Sequence, residues 1–80
     1  MNLKPITSEK AVKLIDTENT LLFATERRAT KTDIKKEVET TFTVKVIGVR
    51  TSIQHNVKYA YVRLAPTSPA MDVAAKLGVI

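Results

Sequence analysis

The sequence predicts an α+β fold, in which a four-stranded, mostly antiparallel sheet carries packed helices in two or three layers. Three segments show apolar residues at helical spacing, and two long segments, 43–51 and 57–64, are rich in β-branched and aromatic residues. Two shorter segments, 3–7 and 21–25, are an extended stretch with a proline and a nearly all-apolar run. These segments follow one another as β-α-β-α-β-β-α, an order that favours helices packed on a single sheet. The last two long strands adjoin through a short connection, so they form an antiparallel hairpin. Eighty residues have room for one core, which predicts a single domain over 1–80.

The first quarter of the chain predicts an edge strand, a helix and a central strand. Pro5 suits an edge because proline has no N–H to donate to a neighbouring strand. The predicted elements are a strand at 3–7, a helix capped by Thr7 or Ser8 that ends near Asp16, a polar loop at 16–20, and a nearly all-apolar strand at 21–25.

The stretch from Thr30 to Ser52 predicts a capped helix that runs directly into a long strand. Thr30 is a good N-cap, and Asp33 is placed three residues later to complete a capping box. An apolar stripe then extends to Phe42, and Glu39 is placed to pair with Lys35 one turn earlier. The stripe consists of Ile34, Val38 and Phe42, and the strand follows over 43–51.

The long strand does not alternate strictly between apolar and polar residues. Val44 and Val46 would share one face, whereas Ile47 and Val49 would share the other. Gly48 predicts either a β-bulge or a close backbone approach, and burial of both faces is a further explanation.

The last third of the chain predicts the hairpin and a final helix. A tight connection at 53–56 leads to a strand at 57–64, which has two distinct faces. One face carries Ala60, Val62 and Leu64, and the other carries Tyr59, Tyr61 and Arg63. The final helix is predicted to have Ser68 as its cap, Pro69 at its first position and Gly78 just after its end.

The chain is basic, and its charge is unevenly distributed. Residues 1–40 contain eight basic and seven acidic side chains, whereas residues 41–80 contain five and one, for a total of +5. A poorly compensated basic surface favours an anionic partner. The absence of cysteine excludes disulfides, no apolar run reaches the ~18 residues of a membrane span, and residues 1–7 lack a signal-peptide core. These features predict a cytoplasmic protein that does not insert into membranes.

The sequence predicts no enzyme. His55 is the only histidine, and two glycines are too few for a phosphate-binding loop. Glu37 and Glu39 point to different helix faces, so they do not form an acid–base pair. We therefore expect no catalytic residue, bound metal, cofactor or small-molecule substrate.

Two clusters of cations predict binding to nucleic acid, because Arg and Lys side chains suit contact with phosphate. A basic surface without a specific role, on a small protein-interaction module, is the alternative. The first cluster is Arg27, Arg28, Lys31 and Lys35, and the second is Arg50, Lys58 and Arg63.

Residues 58–64, Lys-Tyr-Ala-Tyr-Val-Arg-Leu, partly imitate the aromatic motif of RNA-recognition-motif domains. Tyr59 and Tyr61 would then stack unpaired bases of a single-stranded RNA. The glycine of that motif is absent, and Leu64 replaces its last aromatic residue. Packing within the protein is the alternative role for both tyrosines.

Several segments, in the same order along the chain, resemble the universal large-subunit ribosomal protein twenty-three family, and the ending resembles the short archaeal-type members. The matching segments are Thr-Ser-Glu-Lys-Ala at 7–11, Asn-Thr at 19–20 with Phe23, Ala-Thr-Lys at 29–31, Ile-Lys-Lys-Glu-Val-Glu at 34–39, Phe-Thr-Val-Lys-Val at 42–46, Val-Arg-Thr at 49–51, Ala-Tyr-Val at 60–62 with Leu64, Asp-Val-Ala at 72–74 and Lys-Leu-Gly-Val-Ile at 76–80.

This resemblance implies a structural protein bound to domain III of the large-subunit ribosomal RNA, beside the exit of the polypeptide tunnel. Implied protein partners are ribosomal protein twenty-nine, signal recognition particle and the translocon. Glu9 matches the acidic position that serves factor docking in the family. The same correspondence makes the following residues candidate RNA contacts: Thr7, Lys10, Thr30, Lys31, Lys35, Arg50 and Lys58.

Two positions depart from the family pattern. The connection at 53–56 is much shorter than the tunnel loop of bacterial members, so the resemblance does not extend to lining the tunnel. Arg50 stands where the family usually has Asn within Val-Asn-Thr, which keeps a donor but changes the contact.

Overall fold

A computed structural model describes residues 3–78, and within them the predicted α+β class and element order are confirmed. The final two residues of the family-like ending lie outside the described part. The elements are β1 (Lys4–Pro5), α1 (Glu9–Glu18), β2 (Thr20–Thr25), α2 (Lys31–Phe42), β3 (Val46–Gln54), β4 (Val57–Leu64) and α3 (Ala70–Leu77).

The four strands form one antiparallel sheet in the order β1-β2-β4-β3. The sheet centre is the pair β2–β4, where Leu21 lies opposite Val62 and Phe23 opposite Ala60. β1 is shorter than the predicted 3–7 strand, and Pro5 does lie in an edge strand. β3 occupies the other edge, so the hairpin of β3 and β4 places one strand inside the sheet and one at its border.

Helices α1 and α2 lie on opposite faces of the sheet, which gives three layers. Leu22 and Tyr61 pair across β2 and β4 and therefore share a face, on which Lys10 of α1 approaches the Tyr61 ring. Phe23 is the next residue of β2 and points the other way. Its ring stacks on Phe42 of α2, with the ring centroids 6.4 Å apart.

The main hydrophobic core lies on the α2 face. Ile34 and Val38 are fully buried in one cluster with Ala60 and Val62 of β4. Each large aliphatic side chain buried in this way stabilises the fold by about 1.5–3 kcal/mol. The predicted apolar stripe of α2 and the predicted apolar face of β4 therefore form the two sides of the same core.

The predicted polar loop at 16–20 is wrong, because α1 continues to Glu18 and β2 begins at Thr20. The Thr17 hydroxyl donates to the Lys13 carbonyl oxygen at 2.9 Å, so this polar residue is accommodated inside the helix. Asn19 alone makes the connection, in the left-handed conformation with φ of 51°. Its backbone N–H donates to the Leu14 carbonyl and so ends the helix.

The side chain of Asn19 joins the end of α1 to the segment between β4 and α3. Its Nδ2 lies 3.0 Å from the Leu64 carbonyl oxygen, 3.1 Å from that of Ala65 and 3.2 Å from that of Ser68. Its Oδ1 accepts from the backbone N–H of Ala70 at 2.7 Å. An amide carries both donors and an acceptor, so one side chain satisfies backbone groups of both kinds.

The N-terminus of α3 differs from the prediction. Ser68 is not its cap, because its hydroxyl oxygen accepts from the backbone N–H of Lys45 at 3.1 Å. Pro69 is the cap instead, so the helix begins at Ala70, one residue later than predicted, and Pro69 makes no side-chain cap bond. Asn19 supplies that bond from outside the helix. Gly78 ends α3 with φ of 76°, as predicted.

The junction between α2 and β3 is a turn rather than a direct continuation. Thr43 adopts the left-handed conformation, so β3 begins at Val46 instead of Thr43. Glu39 reaches across this turn, and its Oε2 accepts from the backbone N–H of Val46 at 3.1 Å. The carboxylate predicted to pair with Lys35 therefore binds the start of β3.

A β-bulge at Ile47 explains the broken alternation in β3. Val46 lies opposite Leu64 and Gly48 opposite Arg63, which leaves Ile47 as the extra residue. The bulge turns Val46 and Val49 to the same face, against the core. The alternative of a close backbone approach at Gly48 does not hold, since a Cβ built there meets no atom within 4 Å.

The hairpin turn is shorter than the predicted connection at 53–56. β3 extends to Gln54, and His55 and Asn56 form a two-residue turn with φ of 51° and 65°. Positive φ at both positions matches the right-handed twist of paired strands. The short turn sets the register of the whole hairpin.

The Asn19 bonds predict a large loss of stability when the side chain is removed. Asn19→Ala should lower the free energy of unfolding by about 3 kcal/mol, because several bonds of about 1 kcal/mol each are lost and a left-handed residue gains a penalty. Asn56→Ala is the control, since it has a similar positive φ without those bonds, and it should cost about 1 kcal/mol. If urea denaturation gave the same loss of unfolding free energy for Asn19→Ala and Asn56→Ala, the side-chain bonds of Asn19 would contribute nothing to stability.

Candidate nucleic-acid interface

The loop 26–29 and the first turns of α2 form a basic surface, called here the α2 surface. Lys31 and Lys35 lie one turn apart on the same side of the helix, and the loop places two arginines just before its start. The surface consists of Arg27, Arg28, Lys31 and Lys35, all of them exposed.

A capping box holds the start of α2 and therefore the α2 surface. The Thr30 hydroxyl oxygen accepts from the Asp33 N–H at 3.1 Å, and Asp33 Oδ2 accepts from the Thr30 N–H at 3.2 Å. The bond from the Thr30 backbone, and after it the Thr30 side chain, lowers the pKa of Asp33 below its ordinary 3.8. The predicted cap at Thr30 and Asp33 is confirmed.

Lys58 of β4 binds the backbone of the loop that carries part of the α2 surface. Its ammonium group donates to the Ala29 carbonyl oxygen at 2.6 Å and makes a longer contact of 3.5 Å to that of Arg27. The side chain is half-buried, on the same side of β4 as Ala60. These bonds tie the loop to the sheet, and RNA contact by Lys58 stays a prediction.

A second basic site lies on the opposite face of the sheet, beside α1. Arg50 and Tyr61 pair across the hairpin, and the guanidinium carbon lies 5.2 Å from the ring centroid. Lys10 of α1 places its Nζ 5.8 Å from the same centroid. Both distances are within the range of cation–π attraction. We call this site the α1 groove and define it by Lys10, Glu18, Arg50, Tyr61 and Arg63.

The α1 groove consists of two adjoining depressions of about 450 and 410 Å³. Glu18, Arg50 and Tyr61 line both of them, so these three residues form the boundary between the two. Arg63 lines the larger depression, together with the bulge residue Ile47, which is 53% exposed. The larger depression therefore has charged, aromatic and aliphatic walls.

The start of α1 presents Thr7, Glu9 and Lys10 to solvent. Ser8 is the N-cap, and its hydroxyl oxygen accepts from the Ala11 N–H at 3.2 Å. Glu9 in the first turn lies at the positive end of the helix dipole, which suits a carboxylate. Of the two predicted caps, Ser8 is therefore the one used, and Thr7 remains outside the helix.

The structure divides the predicted RNA contacts between the two faces of the sheet. Arg27, Arg28, Lys31 and Lys35 form the α2 surface, with Thr30 at its base and Lys58 beneath it. Lys10 and Arg50 lie against the Tyr61 ring in the α1 groove, and Arg63 lines its larger depression. Thr7 and Glu9 lie beside Lys10 at the start of α1.

The RNA-recognition-motif alternative is not favoured. Tyr59 and Tyr61 share a face as predicted, but α1 lies on that face, where an open sheet surface is needed for bases to stack. The Tyr61 ring already has two cations against it, from Lys10 and Arg50. Tyr61 is therefore part of the packing between sheet and helix.

Sequence reasoning missed Glu18 and Ile47 as groove residues. The sequence predicts a loop at Glu18, although this residue ends α1 and lines the groove together with strand residues. The sequence pattern places Ile47 on one face with Val49, whereas the bulge separates the two and leaves Ile47 exposed. The broken alternation around Gly48 was the signal for Ile47, and nothing in the sequence distinguished Glu18 from other surface carboxylates.

Among residues 3–78, no group of three or more His, Cys, Asp or Glu side chains is arranged to hold a metal ion. Within the same residues, no helix has the length and apolar content that crossing a membrane requires. The fold and the placement of the cations define the class as a small three-layer α+β domain with basic clusters on both faces of its sheet.

Comparison with known proteins identifies the family. A family model described as "Ribosomal protein L23" matches residues 1–63. The "Large ribosomal subunit protein uL23" of Trypanosoma brucei brucei is 42% identical over 77 residues, which cover 95% of this chain and 47% of that protein. The chain belongs to the ribosomal protein L23 family, and it spans about half the length of this relative. The resemblance stated from the sequence is confirmed, and membership in a structural family confirms that the chain is not an enzyme.

The capping box predicts an acid-dependent contribution to stability. Because the folded state lowers the pKa of Asp33, its carboxylate stabilises the fold above pH 3.8, and this contribution is lost as pH falls through the lowered pKa. Urea denaturation should show Asp33→Ala less stable than wild type at neutral pH. The difference should shrink below pH 3.8. Asp16→Ala, which removes another exposed carboxylate, controls for the change in net charge. If wild type and Asp33→Ala still differed as much in free energy of unfolding at about pH 2, the stability would not depend on ionisation of Asp33.

Proposed function

We propose that this chain is a structural constituent of the large subunit of the cytoplasmic ribosome and binds large-subunit ribosomal RNA. The observation that carries the proposal is the extent of the family match. Residues 1–63 include both basic clusters in full, from Thr7 to Arg63. The part of the chain that defines the family is thus the part that presents the cations. We assign the function to a single domain over 1–80.

The placement of the cations supports recognition of folded RNA by phosphate geometry. The α2 surface and the α1 groove lie on opposite sides of one rigid sheet, so the domain can contact two RNA segments at once. The backbone that carries the α2 arginines and lysines is held by the Thr30–Asp33 box and by the bond from Lys58 to the Ala29 carbonyl oxygen. Cations on such a backbone can contact phosphates of a folded RNA without reading base sequence. Affinity should therefore fall steeply as salt rises.

The finer placement follows the family resemblance. We propose that the RNA partner is domain III of the large-subunit ribosomal RNA, beside the exit of the polypeptide tunnel. Ribosomal protein twenty-nine is the proposed neighbour on the ribosome. Signal recognition particle and the translocon are the proposed factors that bind transiently. Glu9 is exposed in the first turn of α1, where a partner can reach its carboxylate. It is the proposed docking residue for such factors.

Removal of single α2 cations should weaken assembly. Arg28→Ala or Lys35→Ala should reduce retention on large subunits in a sucrose gradient at moderate salt. The affinity of each variant should also fall less steeply with salt than that of the wild type, because fewer counterions are released on binding. Lys76→Ala, at the end of α3, removes an exposed cation outside both surfaces and is the matched control. Retention equal to wild type for both α2 variants would contradict the assignment of this surface.

Removal of the Glu9 carboxylate should separate assembly from docking. Glu9→Ala subunits should assemble normally, since this residue contributes no cation for phosphate, but should bind signal recognition particle severalfold more weakly. Asp16→Ala, which removes an exposed carboxylate farther along the same helix, should change neither property. Normal binding of the particle by Glu9→Ala subunits in co-sedimentation would show that the docking assignment is wrong.

A further inference from the structure

The α1 groove contains a guanidinium group that lies over an aromatic ring. Arg50 and Tyr61 pair across the hairpin, and the guanidinium carbon is 5.2 Å from the ring centroid. Arg50 is exposed and lines both depressions, so a ligand in either of them can reach its guanidinium group. A guanidinium plane in that position is a surface on which an unpaired base can stack.

The larger depression combines cations with one carboxylate. Arg63 and Arg50 line it on the β-sheet side, and Glu18 lines it from the end of α1. A site for phosphate alone would be weakened by a carboxylate, because like charges repel. A nucleotide fits the mixed charge, since its phosphate needs cations and the amino group of an adenine, cytosine or guanine can donate to a carboxylate.

The dimensions and walls agree with a ligand of that size. The depression of about 450 Å³ falls within the roughly 300–1,000 Å³ of small-ligand clefts. Gly48 has no side chain, and the space where one would stand is empty, so the β3 side of the depression is open. Ile47 adds an exposed aliphatic wall against which the face of a base or ribose can pack.

We infer that the larger depression of the α1 groove binds one unpaired nucleotide that projects from folded ribosomal RNA. The base stacks on Arg50, the phosphate contacts Arg63, and Glu18 accepts from an amino group on the base. This inference rests on the proposed function and names the RNA feature recognised. It differs from the RNA-recognition-motif alternative because Arg50, not a tyrosine ring, carries the base.

The guanidinium plane of Arg50, and not its positive charge alone, is what this site requires, because a planar guanidinium offers a face to a base and a lysine ammonium does not. Arg50→Lys is therefore the sharpest variant, because it keeps the positive charge and removes the guanidinium plane. Arg50 is exposed in an edge strand, so this substitution should leave the core unchanged. Circular dichroism can check that the variant keeps the wild-type fold.

The test compares two RNA hairpins that differ only by a single unpaired adenosine in the stem. By fluorescence anisotropy, the wild-type chain should bind the bulged hairpin about tenfold more tightly, the size expected for one stacked base. Arg50→Lys should abolish this preference and leave affinity for the paired hairpin within about twofold. Lys35→Ala, on the other face, should weaken both hairpins equally and keep the preference.

A second pair of probes tests the role of Glu18. The wild-type chain should prefer an unpaired adenosine to an unpaired uridine, because uracil offers no amino group to the carboxylate. Glu18→Gln should reduce that discrimination, since the amide can also donate to the uracil carbonyl oxygens.

The outcomes separate this inference from the proposed function. Equal wild-type affinity for bulged and paired hairpins, or a preference that survives Arg50→Lys, overturns the nucleotide site. The proposed function still stands in that case if the chain stays on large subunits through a salt wash. Loss of the chain from large subunits, with hairpin binding no tighter than that of an unrelated protein of equal pI, overturns both.

Discussion

The side chain of Asn19 connects three parts of the fold that are far apart in sequence. Its amide binds the end of β4 and the following segment, and its carbonyl oxygen caps α3 at Ala70. Its left-handed backbone also ends α1 and lets β2 begin at the next residue. In a domain of this size a cluster of such bonds is a large part of the net stability.

The irregular features of β3 decide what the hairpin presents. The bulge at Ile47 returns Val46 to the core and leaves an aliphatic side chain at the groove. The two-residue turn at His55 and Asn56 sets the register that places Arg50 opposite Tyr61. A shift of one residue would turn Arg50 to the α2 face and remove the stack. Local backbone conformation therefore controls the chemistry of the groove.

The cations of this protein have different tasks. Lys58 is tied to carbonyl oxygens of the 26–29 loop and holds that loop against the sheet. Arg27 and Arg28, which that loop carries, remain exposed. Lys10 and Arg50 are partly engaged with Tyr61, an attraction that restrains long side chains before any partner arrives. Preorganised cations lose less conformational freedom on binding, which favours contact with a rigid partner such as folded RNA.

The amino-acid sequence by itself determined the order of elements, the capping box at Thr30 and Asp33, the apolar faces of α2 and β4, and the family. These are local or periodic properties, so neighbouring residues are enough to define them. Tertiary structure decided the strand order, the helix layers and the partners of Asn19, Glu39 and Lys58. It also brought Glu18 and Arg50 to one groove from segments 32 positions apart. Such contacts depend on how packed elements meet in space, which no local pattern specifies.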